Sequence, residues 1–376
     1  VIVLFFIAVF FCVYTYAIFP LILHLRAKDK PLESRVALSE QPLVSVVIAA
    51  HNEANNIARK LESLRALDYP AQRIEFVFVS DGSTDQSIAM LEAAQKEMPN
   101  LKVTHYDPAA GKPTALNVGV DMASGDVLVF MDARQRVSAN AIGVLCERLA
   151  MPGIGAVSGE LSLADDNGVE SANVGLYWRY EKWIRQNESR LFSTTGATGA
   201  LYAIRRSDYI QHEPDVLLDD FDTPVAILAK GQRTVFEPDA KVFDVAESSA
   251  SGEFRRKTRT LAGNFQSFMR NKWLFNPAKN PVFLQFLSHK VFRLLVPYAM
   301  LLALIASIFG SGWFLNIMLF GQIIFYAVGL ANMMGIKALD NKVFNFIKVF
   351  LQLNAAAVAG AFRYLSGNAS VRWKQS

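Results

Sequence analysis

The placement of charge constrains this chain more than any other feature. Val1 to Leu25 hold no Asp, Glu, Lys or Arg, and Leu294 to Gly335 form a second such run of 42 residues. A bilayer core takes ~20 apolar residues per helix, so the two runs have room for roughly one and two membrane helices. That excludes a simple soluble enzyme. The first run is too long for the apolar core of a signal peptide and is followed by Arg26, Lys28 and Lys30. The positive-inside rule therefore puts its C-terminal end in the cytoplasm. A weaker apolar stretch, Val349 to Phe362, includes Gln352 and Asn354. Its pattern fits either a third C-terminal span or an interfacial helix, which leaves the topology after Asn345 open.

These runs divide the chain into an N-terminal membrane helix (1–25), a large globular domain (26–252), a basic amphipathic segment (253–292) and a C-terminal membrane region (293–376) of two to three helices. In the third part Arg255, Arg256, Lys257, Arg259, Arg270 and Lys272 alternate with Leu261, Phe265, Phe268, Trp273 and Phe275, a pattern suited to a membrane surface. Before Leu294 there are 32 basic and 33 acidic residues, so the formal +4 comes from the membrane-flanking and tail residues. Lipid headgroups rather than nucleic acid are the expected electrostatic partner. Two cysteines, Cys12 and Cys146, supply neither a disulfide framework nor a thiolate metal site. The five dispersed histidines lack zinc spacing.

In the globular part, short β-branched runs at Leu43–Ala49, Ile74–Val79, Leu101–His105 and Val127–Met131 alternate with helical patterns at Asn55–Leu67, Gln86–Glu97 and Thr114–Met122. This alternation predicts an α/β domain with a mostly parallel, Rossmann-like sheet covered by helices. In such sheets ligands sit at the carboxyl ends of the strands. His51-Asn52-Glu53 follows the first strand, Asp81-Gly82-Ser83-Thr84-Asp85 the second, and Asp132-Ala133-Arg134 the fourth. Each taken singly has a plain structural explanation as a turn or a helix start. Three in register predict a crevice that accepts hydrogen bonds from a base or ribose and holds a divalent cation.

Gly111-Lys112-Pro113 opens a helix and can set an ammonium and backbone N–H groups against phosphate, without being a Walker loop. A surface lysine on a capped helix fits equally well. Thr195-Gly196-Ala197-Thr198-Gly199-Ala200 is a small-residue loop that lets a substrate approach the backbone. Leu217-Leu218-Asp219-Asp220-Phe221-Asp222 opens a helical pattern over Thr223–Ala229. Acids there suit the helix dipole, or one of them acts as a base made stronger by its acidic neighbours.

In this order, VVIAAHNE, VSDGSTD, GKPTALN, VFMDA, TGATGALYAIRR, LLDDFD and RRKTR resemble the membrane-bound family 2 glycosyltransferases, the inverting GT-A group that includes cellulose, chitin and hyaluronan synthases. The resemblance covers roughly Val44 to Gln266. It implies a GT-A fold, a nucleotide-sugar donor (a UDP-sugar first) and Mg2+ or Mn2+. Ala49, His51, Glu53 and Asp81 fall at the uridine edge and Lys112 at a nucleotide-sugar contact. Asp132 falls on the first Asp of the D-x-D metal motif, and Asp220 on the general base of the Glu-Asp motif with Asp219 in place of Glu. Arg256 and Arg259 stand on the Gln and Arg of Q-x-x-R-W, facing the diphosphate. Thr198, Gly199, Asp219 and Thr260 mark the acceptor region. Two departures stand out: Arg134 replaces the second metal-motif Asp, and Thr260 replaces the Trp that stacks on the acceptor sugar in processive synthases.

The resulting expectation is an integral membrane enzyme, with its catalytic domain cytoplasmic, on the inner membrane if bacterial. It transfers a sugar to a lipid-linked or growing glycan in surface polysaccharide synthesis, with membrane lipids and a homo-oligomer or export machinery as further partners. A processive synthase, a catalytically weak nucleotide-sugar-binding module of an export complex and a transporter are the alternatives. The last is weakest, because the spans carry no intramembrane ionisable residue.

Overall fold

The computed structural model describes residues 1–31, 33–163, 176–244, 250–336, 339 and 341–370. The tail charges Arg372 and Lys374 lie outside them. The chain forms two compact units.

The first unit, 32–172 and 192–246, is built on a sheet of eight strands: β1 (Val44–Ala50), β2 (Ile74–Asp81), β3 (Leu101–Tyr106), β4 (Val127–Asp132), β5 (Arg136–Val137), β6 (Ile154–Leu163), β7 (Leu201–Arg205) and β8 (Arg233–Asp244). Their order is β3-β2-β1-β4-β7-β6-β8-β5. The four strands legible in the sequence make the parallel half. β7 turns the sheet, pairing antiparallel with both β4 and β6, while β6 and β8 are again parallel. The sheet is therefore mixed rather than parallel throughout. β1 and β2 are buried along their whole length, and this explains their unbroken apolar composition: both faces are covered by helices. Chain order runs outward from β1 to β2 and β3, then returns to β4 on the other side of β1. That reversal is the topological switch point, and Ala49 pairs with Asp132 across it.

At the opposite end of β2 the buried Glu75 accepts from Ser45 Oγ at 2.5 Å, Ser124 N–H at 2.6 Å and Ser124 Oγ at 2.9 Å, with Lys102 Nζ 2.7 Å away. Burial alone raises a carboxyl pKa, but these bonds outweigh it and hold Glu75 at about 2. With the folded value below the unfolded 4.5, its contribution to stability is complete above pH 4.5 and disappears as pH falls towards 2. Glu75→Gln is expected to cost about 2 kcal/mol at pH 7. The gap from wild type, read as melting temperature in detergent, should close on acidification through that window. A gap unchanged at low pH would show that the ionised carboxylate is not the source.

The second unit, 1–31, 173–191 and 247–369, is helical. Four of its helices are long and apolar enough to cross a membrane: Ile2–Ala27, Phe283–Phe309, Trp313–Met333 and Lys342–Leu365. The stretch left open by sequence is one helix of 24 residues, started by Asn341, whose side chain accepts from the N–H groups of Val343 and Phe344. The second span starts at Phe283, inside the segment read as interfacial, so it includes His289, Lys290 and Arg293, contrary to the expectation of spans without ionisable residues. Ala250–Arg270 is the basic amphipathic helix. Its partner along Leu261–Ala262 is Gly360, where a Cβ would come within 2.9 Å of the Ala262 nitrogen, so the close helix contact needs the glycine. Leu176–Leu191, expected within the globular domain, belongs to this helical unit, and its Ile184 packs with Phe19 and Leu23 of the first span.

Candidate active site

The crevice is assembled from strand ends. At the end of β1, Asn52 takes the left-handed conformation (φ 54°), tolerable for Asn. Its Oδ1 accepts from Thr84 N–H at 2.8 Å, which fastens this turn to the one after β2. His51 Nδ1–H donates to the Asp81 carbonyl at 2.6 Å while Nε2 accepts from Asn52 Nδ2 at 3.3 Å, so one neutral tautomer satisfies both bonds. Asp85 caps two helices at once, accepting from Ser87 N–H (2.9 Å) and Ala54 N–H (3.0 Å). For Asp85 the plain structural explanation is the right one. Glu53 accepts from Asn56. Burial raises its pKa, and Asp132 and Asp85 add to the rise against the opposing Asn56 and Arg134.

Asp81 is fully buried. Its two carboxylate oxygens accept from Ala110 N–H (2.6 Å) and Gly111 N–H (2.7 Å), so it holds the loop that presents Lys112. Gly82 makes that loop possible: at φ 62°, a Cβ would stand 2.6 Å from the Ala109 nitrogen.

Lys112 is the hub. Its Nζ donates to Asp132 Oδ1 at 2.9 Å and lies 3.3 Å from Asp219 Oδ1, joining the end of β4 to the N-terminus of the Asp219–Ala229 helix. Burial works to lower the ammonium's pKa. Asp132, Asp219 and Asp220 outweigh it and hold the pKa well above the usual lysine range. Asp219 is buried and accepts from the Tyr202 hydroxyl at 3.3 Å. Asp220 is half-buried, and its Oδ2 accepts from Gly199 N–H at 3.1 Å. A Cβ on Gly199 would meet that same oxygen at 2.8 Å, so the small-residue loop exists to admit the Asp220 carboxylate. Thr198 N–H donates to Ser158 Oγ at 2.9 Å, fixing the loop to β6.

Arg134, which stands in place of a second metal-motif Asp, is paired with Asp244 at the end of β8 (2.5 Å), and Gln135 Nε2 joins the same oxygen at 3.1 Å. Arg256, Arg259 and Thr260 are exposed on the Ala250–Arg270 helix of the helical unit, with Thr260 Oγ1 donating to the Arg256 carbonyl.

Several contributors were missed from sequence. Lys60 is buried beneath the end of β4, donating to the Gln135 carbonyl at 3.0 Å. Burial lowers its pKa to about 8, against the pull of Asp132. The signal was present: Lys60 sits in the inward stripe Ile57, Lys60, Leu61, Leu64, where a charged residue is anomalous. His212, Asn117 and Tyr209 form a support behind the Lys112 helix. Asn117 Oδ1 accepts from the Tyr209 hydroxyl (2.7 Å) and His212 N–H (2.9 Å). Nothing in the local pattern marks these.

Residues 45–212 match the model of the family described as Glycosyl transferase family 2, and the chain carries a domain of that family. Beta-monoglucosyldiacylglycerol synthase of Synechocystis is 32% identical over 127 residues, which are 33% of this chain and 26% of that protein. Poly-beta-1,6-N-acetyl-D-glucosamine synthase of Staphylococcus aureus is 21% identical over 252 residues, 64% of this chain and 60% of that one. The chain thus spans no more than about three fifths of these curated relatives. Among solved structures, the mannosyltransferase PcManGT from Pyrobaculum calidifontis, determined with GDP-Man and Mn2+, superposes with a TM-score of 0.73 at 23% identity, covering 96% of this chain and 99% of that one. The two share the GT-A fold.

Proposed function

We propose that this protein is a membrane-integrated inverting glycosyltransferase that moves a sugar from a nucleoside-diphosphate donor to a hydroxyl of a lipid-linked or growing glycan, with its catalytic unit on the cytoplasmic side. The carrying observation is the placement of Lys112 between Asp132 and Asp219, with Asp220 beside it, at the switch point of the sheet. A cationic group and a carboxylate base are what the two sides of such a displacement require.

Lys112 is the chain's own positive charge against the leaving diphosphate. Asp220, held by Gly199, accepts the proton of the attacking hydroxyl, and a single displacement with one base inverts the anomeric centre. Asp219 and Asp81 position Lys112, one through its ammonium and the other through its loop. Arg256 and Arg259 are proposed as further diphosphate contacts.

Among the described residues no group of three or more His, Cys, Asp or Glu side chains is placed to hold a metal ion. Asp132 nevertheless offers a partly exposed carboxylate at the end of β4. One carboxylate plus substrate phosphates is a usual arrangement for Mg2+, and the solved mannosyltransferase carries Mn2+. Asp132 is therefore the proposed ligand, and a divalent cation there supplies charge against the departing diphosphate. Thr260, in place of an aromatic platform, favours single additions over processive synthesis.

The test is release of nucleoside diphosphate by detergent-purified protein, screened over UDP-, GDP- and TDP-sugars with Mg2+ or Mn2+, with and without a membrane lipid extract. Turnover with one donor that rises with the extract is expected. Donor binding with no release under any condition would turn the reading towards a binding module.

A further inference from the structure

The helical unit holds a charged cluster that the transfer chemistry does not use. Its members come from two apolar spans, Ile2–Ala27 and Phe283–Phe309, and from the charged Leu176–Leu191 helix. His289 lies between two carboxylates, with Nδ1 2.7 Å from Glu188 Oε1 and Nε2 3.3 Å from Glu181 Oε2. The other Glu181 oxygen accepts from Arg293, whose guanidinium lies over the rings of Tyr16 (5.4 Å) and Tyr180 (5.6 Å).

A cavity of about 150 Å3 opens beside this cluster, lined by His289, Lys290, Arg293, Asn264 and Asn354 among others. It is roughly ten times the ~10–15 Å3 that one water needs by the same measure. Three polar atoms at its wall are buried without a hydrogen-bond partner: Arg293 Nε, Arg293 Nη2 and Asn354 Oδ1. The Asn354 amide stands near the Tyr16 hydroxyl, and its orientation is fixed, because Nδ2 donates to the Phe350 carbonyl at 2.8 Å. Lys290 has neither an ion pair nor a hydrogen bond among the described residues, and Arg185 adds to the positive field around it. Lys290 and Arg293 thus bring two positive charges to the wall of the cavity.

The backbone is also specialised here. Tyr16 belongs to a wide π-type turn, Tyr14–Ile18, and His289 and Lys290 belong to another, Phe286–Val291. The two turns are joined by a 3.0 Å bond between the Tyr14 hydroxyl and Ser288 Oγ. Such turns break the regular helical ladder and recur where side chains are presented for function.

Buried charged donors without acceptors are expensive. An oxyanion removes that cost: two of its oxygens meet the Nε–Nη2 edge of a guanidinium in a fork, and an ammonium adds a point charge. Asn354 Oδ1 asks in addition for a donor, such as a hydroxyl. Two of the helices that line the cavity, Phe283–Phe309 and Lys342–Leu365, are long and apolar enough to cross a bilayer, where the abundant oxyanion is a lipid phosphate. We propose that this cavity binds the phosphoryl headgroup of an anionic lipid. The proposal does not rest on the transfer reading.

The test uses the full chain purified in neutral detergent. It is titrated with mixed micelles of phosphatidylglycerol or of phosphatidylcholine, and retained lipid is counted by mass spectrometry. Phosphatidylglycerol is expected to be retained over phosphatidylcholine and to be displaced by inorganic phosphate. Lys290→Gln, which breaks no ion pair, should weaken retention about tenfold, whereas Lys28→Gln should not. Arg293→Lys keeps the charge opposite Glu181 and loses only the fork, so intermediate retention is expected. Equal retention of both lipids, or Lys290→Gln binding like wild type, would overturn the site. Inorganic phosphate binding without lipid retention would overturn the lipid as its source.

Discussion

Asp220→Asn should leave nucleotide-sugar binding nearly unchanged and reduce transfer roughly 10²- to 10⁴-fold, the range a positioned general base contributes. Asparagine is close to isosteric, and its Oδ1 can still accept the Gly199 N–H that Asp220 accepts at 3.1 Å. The Ala197 N–H bond to the residue 220 carbonyl, 2.8 Å, is unaffected by the side chain. The fold of the loop therefore survives the substitution, and only the ability to take a proton is lost. Asp220 also sits in the first turn of its helix, where the dipole favours a carboxylate by less than about 1 kcal/mol at a partly exposed site. That sum is too small to explain a loss of several orders of magnitude. The measurement is a pair: donor affinity by calorimetry, and transfer by product release. Loss of both would make Asp220 a structural cap, and full activity would remove it from the mechanism.

What could be read beforehand divides along a physical line. The strands at Val44, Ile74 and Val127 were legible because a fully covered parallel sheet writes continuous apolar, β-branched runs. The end of the Asp219–Ala229 helix was legible because Gly231 takes φ 79° there. The carboxylates of the crevice could be found because strand ends converge by topology. Their partners could not, because pairing across the sheet is set by register between distant segments. Asp244 meets Arg134 only once β8 lies beside β5 and β6. The bonds by which Asp81, expected at the uridine edge, clamps the Lys112 loop were hidden for the same reason. The buried charges Lys60 and Arg293 stand as polar residues in otherwise apolar stretches. In both units those exceptions mark where polar chemistry is concentrated.

Lys112→Met carries the second large effect, and its sign can be argued from charge alone. The ammonium lies 2.9 Å from one carboxylate and 3.3 Å from another, with Asp220 also in its field. Without it, three acids face one another and the diphosphate loses a positive contact. A donor aimed at developing charge is worth roughly 10²- to 10³-fold in turnover, and that loss is expected in kcat/KM, with weaker donor binding accounting for part of it. The folded state should also lose stability. The Lys112 side chain is a quarter exposed, so about 2 kcal/mol is a reasonable ceiling, below the cost of breaking a fully buried pair. Lys112→Arg should retain part of the affinity while misplacing the charge. A further consequence separates the electrostatic account from simple damage to the fold. In Lys112→Met, millimolar Mg2+ or Mn2+ should raise the melting temperature more than in wild type, because acids relieved of their ammonium bind a divalent cation more readily. A variant that melts lower and ignores the cation would mean that Lys112 serves packing, and wild-type donor affinity would take it out of the site.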